Sequence, residues 1–223
     1  PWKNTWNGLA MMSTLRSRLR PFASGRCPGK SKKLEMTEKI KTYNPSFALN
    51  KRLRITNDFV KKHLPTGSSI LDLGPPNVMS ERLKSEGFDV RNAVSPDLDL
   101  DFSCVQSLKT DAFTSFEVFE HLVNPFPLLR SIEAPVLIAS VPLRLWFSSA
   151  FRGASVEDPF DYHYHEFEPW QFRLLLEKAG WNIEDEVMWT AHKKIPLGIR
   201  PLLRTVFPRY MLVKASRSQG GVK

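Results

Sequence analysis

The stretch "SILDLGPPNVMSERL" (residues 69–83) decides the fold, because a short apolar strand, a glycine turn and a helix start follow one another. This is the layout of a nucleotide-binding loop. Only Gly74 stands where such loops carry two or three glycines, and Pro75 and Pro76 occupy the tightest part. Proline has no backbone N–H, so the loop lacks two donors that would bind a phosphate. The sequence therefore argues against NAD, FAD and ATP as cofactors.

The segments around this loop predict an α/β domain. An amphipathic helix is indicated over residues 50–64, followed by a buried strand at 68–74. A helix capped by Asn77 is predicted over 77–88 and a second strand over 89–94. A strand, a helix and a strand in this order give two parallel neighbours in a sheet.

The rest of the chain continues the alternation of strands and helices. The segment 111–122 begins as a strand and then turns, and 134–143 is the most apolar strand, which is expected at the centre of the sheet. A short helix is predicted over 124–133 and a strong helical pattern over 168–181. Residues 148–167 are predicted to form a long irregular loop. Two late strands, "NIEDEVMWTA" and "RYMLVKAS", close the domain.

The net charge of +9 is concentrated at the two ends of the chain. Residues 1–35 carry a net charge of +7 and residues 187–223 one of +8, whereas residues 36–186 carry −6. A nucleic-acid-binding core would show a clustered basic face, so nucleic acid is not expected as a partner. The basic ends leave an anionic partner or peripheral membrane contact open. Residues 1–35 are predicted to be a flexible basic tail and 218–223 a disordered one.

Two further features bear on the compartment. Cys27 and Cys104 lie far apart without metal-ligand spacing, so free thiols are expected. The longest apolar-rich run, 134–147, carries Arg144 and is shorter than the ~20 residues that span a bilayer. Since the first residues also lack the apolar core of a signal peptide, the sequence predicts a cytoplasmic protein.

A second motif lies in "DAFTSFEVFEHLVNPFPLL" (111–129), where a strand leads into Glu-Val-Phe-Glu-His-Leu at 117–122. It resembles the fourth-strand motif of the class I S-adenosylmethionine-dependent methyltransferases. "ILDLG" (70–74) is similar to the first strand and first motif of that family, and "IASVP" (138–142) to its fifth strand. "HYHEFEPWQFRLLLEKAGWNI" (163–183) resembles its late segment, in which a histidine-containing loop leads into a helix ending in Ala-Gly-aromatic.

The resemblance covers about residues 50–215 and gives 36–217 as a methyltransferase-like domain. It implies a Rossmann-like α/β fold with a seven-stranded, mostly parallel sheet and helices on both faces. It also implies S-adenosylmethionine as cofactor, bound at the carboxyl ends of the first, second and fourth strands. The residues expected at the cofactor are Asp72, Gly74, Pro76, Asn77, Asp99, Asp101, Phe102, Phe116 and Glu117.

Two of these expectations concern the glycine loop. A cofactor without phosphates has weaker demands, and its carboxylate can use the N–H groups of Asn77 and Val78 at the helix start. Asp72, at the end of the first strand, either serves the cofactor's ammonium group or orients the loop.

The chain departs from the family pattern after the second strand. The family usually has an acid there that holds the ribose hydroxyls, whereas this chain has Asn92 and no acid until Asp97. "DLDLDF" (97–102) is expected to supply one Asp to the ribose, with Asp101 and the Phe102 backbone near the adenine. The alternative is a solvated acidic loop. The segment between the second and fourth strands is also short, which predicts a shrunken helix.

Three histidines, His121, His163 and His165, are candidates for a catalytic base, because imidazole titrates near neutral pH. Methyl transfer needs a base only when the acceptor must lose a proton. His163 and His165 flank Tyr164 and would face the same way on an extended segment, which also suits a metal. No third ligand stands at a recognisable spacing, so no metal site is predicted. The alternative role for each is a structural hydrogen bond.

Two stretches interleave arginine with apolar residues, "LRLWFSSAFRG" (143–153) and "GIRPLLRTVF" (198–207). Guanidinium groups bind anions through paired hydrogen bonds, so these stretches predict contacts with an anionic acceptor. The second stretch fits either a membrane-surface or lid helix, or a core-packing helix with basic residues outside. The acceptor-binding residues are predicted to be Arg144, Trp146, Tyr164 and Arg200.

Together these patterns predict a methyltransferase that uses S-adenosylmethionine and a small-molecule, lipid-like or saccharide-like acceptor. The histidines slightly favour methylation at oxygen over carbon or nitrogen. The alternative is a non-catalytic module with the same fold that docks on an anionic partner or a membrane surface. Pro75, Pro76 and the missing acid after the second strand favour that alternative.

Overall fold

The computed structural model describes residues 47–93, 95, 97–106, 109–144, 162–190, 203 and 205–217. All of them belong to the unit Asn44–Lys223. Both predicted tails, 1–35 and 218–223, lie outside the described residues, as does most of the predicted loop 148–167.

The described elements follow the predicted order. The α-helices are α1 (Phe47–His63), α2 (Val78–Ser85), α3 (Pro125–Ser131) and α4 (Pro169–Lys178). The strands are β1 (Ser69–Leu73), β2 (Asp89–Ala93), β3 (Ala112–Phe116), β4 (Val136–Pro142), β5 (Trp181–Trp189) and β6 (Tyr210–Arg217). Short 3-10 helices cover Ser103–Val105 and Phe119–His121. Among the described residues, no helix has the length and apolar character needed to cross a membrane.

The strands form one mixed sheet in the order β2-β1-β3-β4-β6-β5. The pairs β1–β2, β1–β3 and β3–β4 are parallel. β6 runs antiparallel to both of its neighbours, β4 and β5. β4 lies at the centre of the sheet, as its apolar sequence predicts.

The prediction of seven strands is not confirmed, since the described residues form six. The segment between β2 and β3 would hold the seventh, but it makes a turn and the 3-10 helix Ser103–Val105. The reason is local. Asp97, Asp99 and Asp101 accept hydrogen bonds from backbone N–H groups, which bends the chain, and Leu100 between them is 84% exposed.

Helices cover both faces of the sheet, as predicted. β1 shows the alternation directly, because Leu71 and Leu73 face one hydrophobic core and Ile70 faces the other. α3 and α4 supply buried side chains to the first core: Leu128, Leu129, Phe172 and Leu176. α1 and α2 supply them to the second: Leu53, Phe59, Val60, Met79 and Leu83. Both sets recur at helical spacing, which is why these segments fold as amphipathic helices.

Trp181 anchors the first core at the start of β5. Its side chain is 1% exposed, and its Nε1–H donates to the carbonyl of Leu129 at the end of α3, 3.0 Å away. The guanidinium of Arg217 lies 4.5 Å from the centre of its ring. The indole therefore joins a helix to the two strands at one edge of the sheet.

The Trp181→Phe variant should lower the free energy of unfolding by about 2–4 kcal/mol, because the buried hydrogen bond is lost and a cavity remains. Urea unfolding followed by circular dichroism measures this change. Trp170→Phe is the matched control, since Trp170 is 57% exposed on α4, and it should stay within about 0.5 kcal/mol of wild type. Equal unfolding midpoints for the two variants would contradict the assignment.

Candidate functional site

The order of the strands creates a crevice between the carboxyl ends of β1 and β3. From β1 the chain crosses to β2 on one side, and from β3 it crosses to β4 on the other. At such a switch point the two connections leave in opposite directions, and open α/β sheets bind ligands there. Gly74 follows β1 directly and Glu117 follows β3 directly. These two residues therefore form the two sides of the candidate site.

A row of polar side chains crosses the sheet at the base of the crevice. Asp72 is paired in register with Asn92 of β2 and Thr114 of β3. Its Oδ1 accepts from the Thr114 hydroxyl at 2.7 Å, and its Oδ2 accepts from the Asn92 amide at 3.2 Å. Asn92, which stands where the family usually has an acid, therefore holds another carboxylate in place.

Asn77 connects this row to helix α2. Its Nδ2 donates to Asp72 Oδ2 at 3.3 Å, while its Oδ1 accepts from the N–H groups of Met79 and Ser80. This confirms the predicted cap. The N–H of Asn77 itself, which the sequence pattern offers to a ligand, donates to Ser80 Oγ at 2.9 Å and is therefore already engaged within the loop. Within the described part of the chain, the N–H of Val78 has no acceptor and remains the available donor.

Asp72 is fully buried, with 0% exposure. Burial raises the pKa of its carboxyl to about 7, against the lowering effect of the bonds from Thr114, Asn77 and Asn92. Of the two predicted roles, orienting the loop is the one that these contacts support, because both oxygens are engaged with the protein.

Gly74 needs to be glycine for a conformational reason. Its φ is 101°, a region that residues with a Cβ rarely adopt. Its N–H donates to the carbonyl of Ala93 at 2.8 Å, which fixes the turn on β2. A Cβ at this position would lie 4.0 Å from Cγ2 of Val118, on the opposite side of the crevice.

Glu117 also has a positive φ, 59°, and it alone does so among the described non-glycine residues. Its carboxylate accepts from Arg52 Nη1 at 3.0 Å and from Ser140 Oγ at 3.3 Å, and its N–H donates to the Ser140 carbonyl at 3.0 Å. Burial raises the pKa of Glu117, and the charge of Arg52 opposes this. These bonds hold the residue in a strained conformation of the kind found at ligand sites.

Arg52 is a site residue that the sequence does not reveal. It lies on α1, 65 residues before Glu117, in a stretch with several other basic residues. No local pattern separates it from its neighbours Lys51 and Arg54, because its partner is set by the packing of α1 on the sheet.

The acidic segment 97–102 is fastened by its own carboxylates. Asp99 accepts from the N–H groups of Val123 and Asn124, each at 2.9 Å, and Asp101 accepts from the N–H of Ser103 at 2.9 Å. The bond from Ser103 lowers the pKa of Asp101. Among the predicted aromatic contacts, Phe102 packs on the first core and Phe116 on the second.

The three predicted histidines lie beyond Glu117. His121 Nδ1 is 3.1 Å from the Tyr162 carbonyl, and the His121 and His163 rings are 4.7 Å apart. His165 Nε2 lies 3.2 Å from the Val123 carbonyl. His163 therefore approaches His121, rather than pairing with His165 as its spacing suggests. Burial, and then the charge of Glu117, raise the pKa of the adjacent Glu120 to about 8.

The predicted acceptor-binding residues are described only in part. Arg144 follows β4 and lies 3.6 Å from Glu168, with about half of its side chain exposed. Tyr164 is 54% exposed, and its N–H donates to the Glu120 carbonyl. Trp146 and Arg200 lie outside the described residues.

The Asp72→Asn variant should change how stability depends on pH. The carboxyl has an ordinary pKa of 3.8 and one of about 7 in the folded protein. Between these values the folded chain holds a proton that the unfolded chain has lost. Asp72 therefore makes the free energy of unfolding fall as pH rises, by up to about 1.4 kcal/mol per unit.

An asparagine does not titrate. It keeps the same partners when its oxygen accepts from Asn77 and Asn92 and its NH2 donates to the Thr114 hydroxyl, so the variant should lose this fall between pH 5 and 7. Urea unfolding at several pH values measures it. Asp89→Asn is the control, because Asp89 is exposed at the start of β2, and it should keep the wild-type profile. A wild-type profile for Asp72→Asn would contradict the prediction.

No family model and no curated protein matches the sequence. Solved structures do match. A chain of the complex between the Haloferax volcanii Trm112 methyltransferase activator and a methyltransferase gives a TM-score of 0.51 at 13% identity, over 79% of this chain and 96% of that one. A S-adenosylmethionine-dependent methyltransferase of Listeria monocytogenes gives 0.48 at 10% identity, over 75% and 99%. Magnesium protoporphyrin IX methyltransferase of Synechocystis, with bound S-adenosylhomocysteine, gives 0.47 at 14%, over 84% and 95%.

At these identities the likeness is one of fold. The strand order, with β6 reversed between β4 and β5, and the match to the Haloferax volcanii structure agree with the motifs of the sequence. The chain has the fold of the class I S-adenosylmethionine-dependent methyltransferases.

Proposed function

We propose that the protein is a methyltransferase that uses S-adenosylmethionine and acts on a small-molecule, lipid-like or saccharide-like acceptor. The observation that carries this proposal is the crevice between β1 and β3, with the left-handed turns of Gly74 and Glu117 on its two sides. Glu117 is the strained one of the two, since glycine adopts a positive φ without strain, and strained backbone is retained where function needs it. A strained glutamate and an unobstructed glycine turn on the two sides of a switch point support a ligand site.

The residues of the crevice fit a cofactor with positive charge and without phosphate. Pro75 and Pro76 offer no N–H, and that of Asn77 is already used. Glu117 places a carboxyl group at the end of β3, where the ammonium or sulfonium group of S-adenosylmethionine would favour its charged form and be attracted by it. The N–H of Val78, at the start of α2, would bind the cofactor's carboxylate.

S-adenosylmethionine, when bound, supplies a methyl group that the positive charge on sulfur already activates. The protein then has to align the acceptor and exclude water. Gly74 allows the loop backbone to approach closely, since no side chain fills the space towards Val118. Arg52 and Ser140 keep the Glu117 carboxylate in one position.

The other predicted site residues keep their roles as part of this proposal. Asp99, Asp101 and Phe102 lie in the segment after β2 that would face the ribose and adenine. His121, His163 and His165 are the groups able to take a proton from an acceptor hydroxyl, which favours methylation at oxygen.

The acceptor side and the location are proposed on sequence grounds. Arg144 and Tyr164, both exposed beyond β4, would meet the acceptor together with Trp146 and Arg200. An anionic acceptor or peripheral membrane contact is consistent with the basic ends of the chain, and a cytoplasmic location with its two cysteines.

Titration calorimetry with S-adenosylhomocysteine tests the proposal, and wild-type protein should bind it. Gly74→Ala should bind at least about tenfold more weakly, a loss of about 1.4 kcal/mol, because the new methyl group enters the crevice. Gly67→Ala is the matched control. Gly67 has a similar φ of 91° with nothing within 4 Å of a Cβ, so it carries the same backbone strain away from the site.

Both glycine variants should lose comparable stability, and only Gly74→Ala should lose affinity. Equal affinity for the two variants would place the cofactor elsewhere. A folded wild-type protein that binds no S-adenosylhomocysteine would overturn the enzyme proposal and favour the non-catalytic module.

Glu117→Gln should weaken the binding of S-adenosylmethionine by several-fold or more, because the substitution removes a buried negative charge beside a cationic ligand. Glu81→Gln makes the same change on the exposed surface of α2, where Glu81 pairs with Lys84. It should bind like wild type in the same titration. Equal weakening by both substitutions would show a general charge effect instead.

A further inference from the structure

Glu120 is a buried carboxylate with an unsatisfied oxygen. Its side chain is 1% exposed, and its Oε2 has no hydrogen-bond partner within the described part of the chain. Burying such a group without compensation is costly. Glu117 differs, because Arg52 and Ser140 engage its two oxygens. Among the described residues, both oxygens of Glu117 therefore have hydrogen-bond partners, whereas Oε2 of Glu120 has none.

Two imidazoles lie next to this carboxylate. His121 Nε2 is 3.8 Å from Glu120 Oε1, and the His163 ring lies edge-on to the His121 ring at 4.7 Å. One ligand atom from each of the three residues lies within 4.8 Å of the others. Ligands at the usual 2.0–2.2 Å from Zn²⁺ would be about 3.4 Å apart in a tetrahedral site. Small side-chain rotations therefore suffice to reach that geometry.

Contacts around the cluster hold these groups in place. A carbonyl can only accept, so the Tyr162 carbonyl 3.1 Å from His121 Nδ1 requires the hydrogen on Nδ1. The lone pair of Nε2 is then directed to the Glu120 side, as in metal-binding histidines. The N–H groups of Tyr164 and His165 donate to the Glu120 carbonyl at 2.8 and 3.2 Å. These bonds fasten the segment that carries His163 against Glu120.

We propose that Glu120, His121 and His163 bind a divalent transition-metal ion of the Zn²⁺ type. Two imidazoles and one carboxylate are a common set for such ions, and three protein ligands leave a position open. His163 is exposed, so an ion can enter from solvent. His165, the neighbour predicted to pair with His163, is not a ligand, because its Nε2 lies at the Val123 carbonyl.

The ion also has a role at the acceptor, and this part rests on the proposed function. With the ion bound, His121 and His163 are ligands and do not act as bases. An acceptor hydroxyl bound at the open position has a lowered pKa and loses its proton to solvent water instead. Its oxygen then bonds to the methyl carbon, and the carbon–sulfur bond breaks with both electrons remaining on sulfur. The metal binding itself does not depend on this role.

Titration of chelator-stripped protein with Zn²⁺, in competition with a chromophoric chelator, tests the site. Wild-type protein should bind one ion, and His163→Gln should bind at least about tenfold more weakly. Glu120→Gln should also bind more weakly. His165→Gln is the matched control, since it makes the same change two residues away, and it should keep wild-type affinity. Circular dichroism checks that each variant folds, and His163 is exposed whereas Glu120 is buried.

Co²⁺ gives a second readout that does not depend on activity. The wild-type protein should show the intense visible absorption of a four- or five-coordinate ion, and His163→Gln should lose it. Equal Zn²⁺ affinity in wild type and His163→Gln would overturn the proposal as surface binding only, and so would an equal loss in His165→Gln.

Titrating S-adenosylhomocysteine into the same samples separates this proposal from the proposed function. Cofactor binding without metal binding would overturn the metal site alone. Metal binding without cofactor binding would overturn the function alone.

Discussion

The buried carboxylate of Asp72 holds together the elements that make the crevice. Because the parallel strands are in register, it lies between Asn92 of β2 and Thr114 of β3, and it bonds to both. The amide of Asn77 reaches the same carboxylate while its oxygen caps α2. Three strands and one helix thus meet at one group, so the position of Gly74 and its loop depends on the sheet as well as on the local sequence.

The carboxyl ends of β1 and β3 also concentrate acidic groups in a chain whose net charge is positive. Asp72, Glu117 and Glu120 are withdrawn from solvent there, and burial raises the pKa of each. A cation bound beside such carboxyls favours their charged forms and is attracted by them, whereas a phosphate gains no such interaction. The two prolines also disfavour phosphate, because they offer no N–H. The proposed sulfonium cofactor and the proposed metal ion are both cations, so the same acidic groups suit both.

The sequence predicted the helices and strands where the pattern was strong, as in α1, where Leu53, Phe59 and Val60 recur at helical spacing and are buried. It also predicted the Asn77 cap, because capping is a local interaction. The sequence did not predict contacts between residues that lie far apart along the chain. In the sequence, Asn92 stands where the family usually has an acid, whereas in the structure its side-chain amide donates a hydrogen bond to Asp72. The expected seventh strand is not confirmed among the described residues, where the aspartates after β2 bond to backbone N–H groups.

The sequence by itself determined the order of the elements, the glycine turn with its two prolines, and the motif from Glu117 to Leu122, since each depends on neighbours within a few residues. Only the tertiary structure decided that Arg52 holds Glu117, 65 residues away, and that Tyr162 meets His121 across 41 residues. The latter contact brings His163 to Glu120. Such pairs carry no local signal, because the packing of helices and loops on the sheet, and not the spacing along the chain, brings them together.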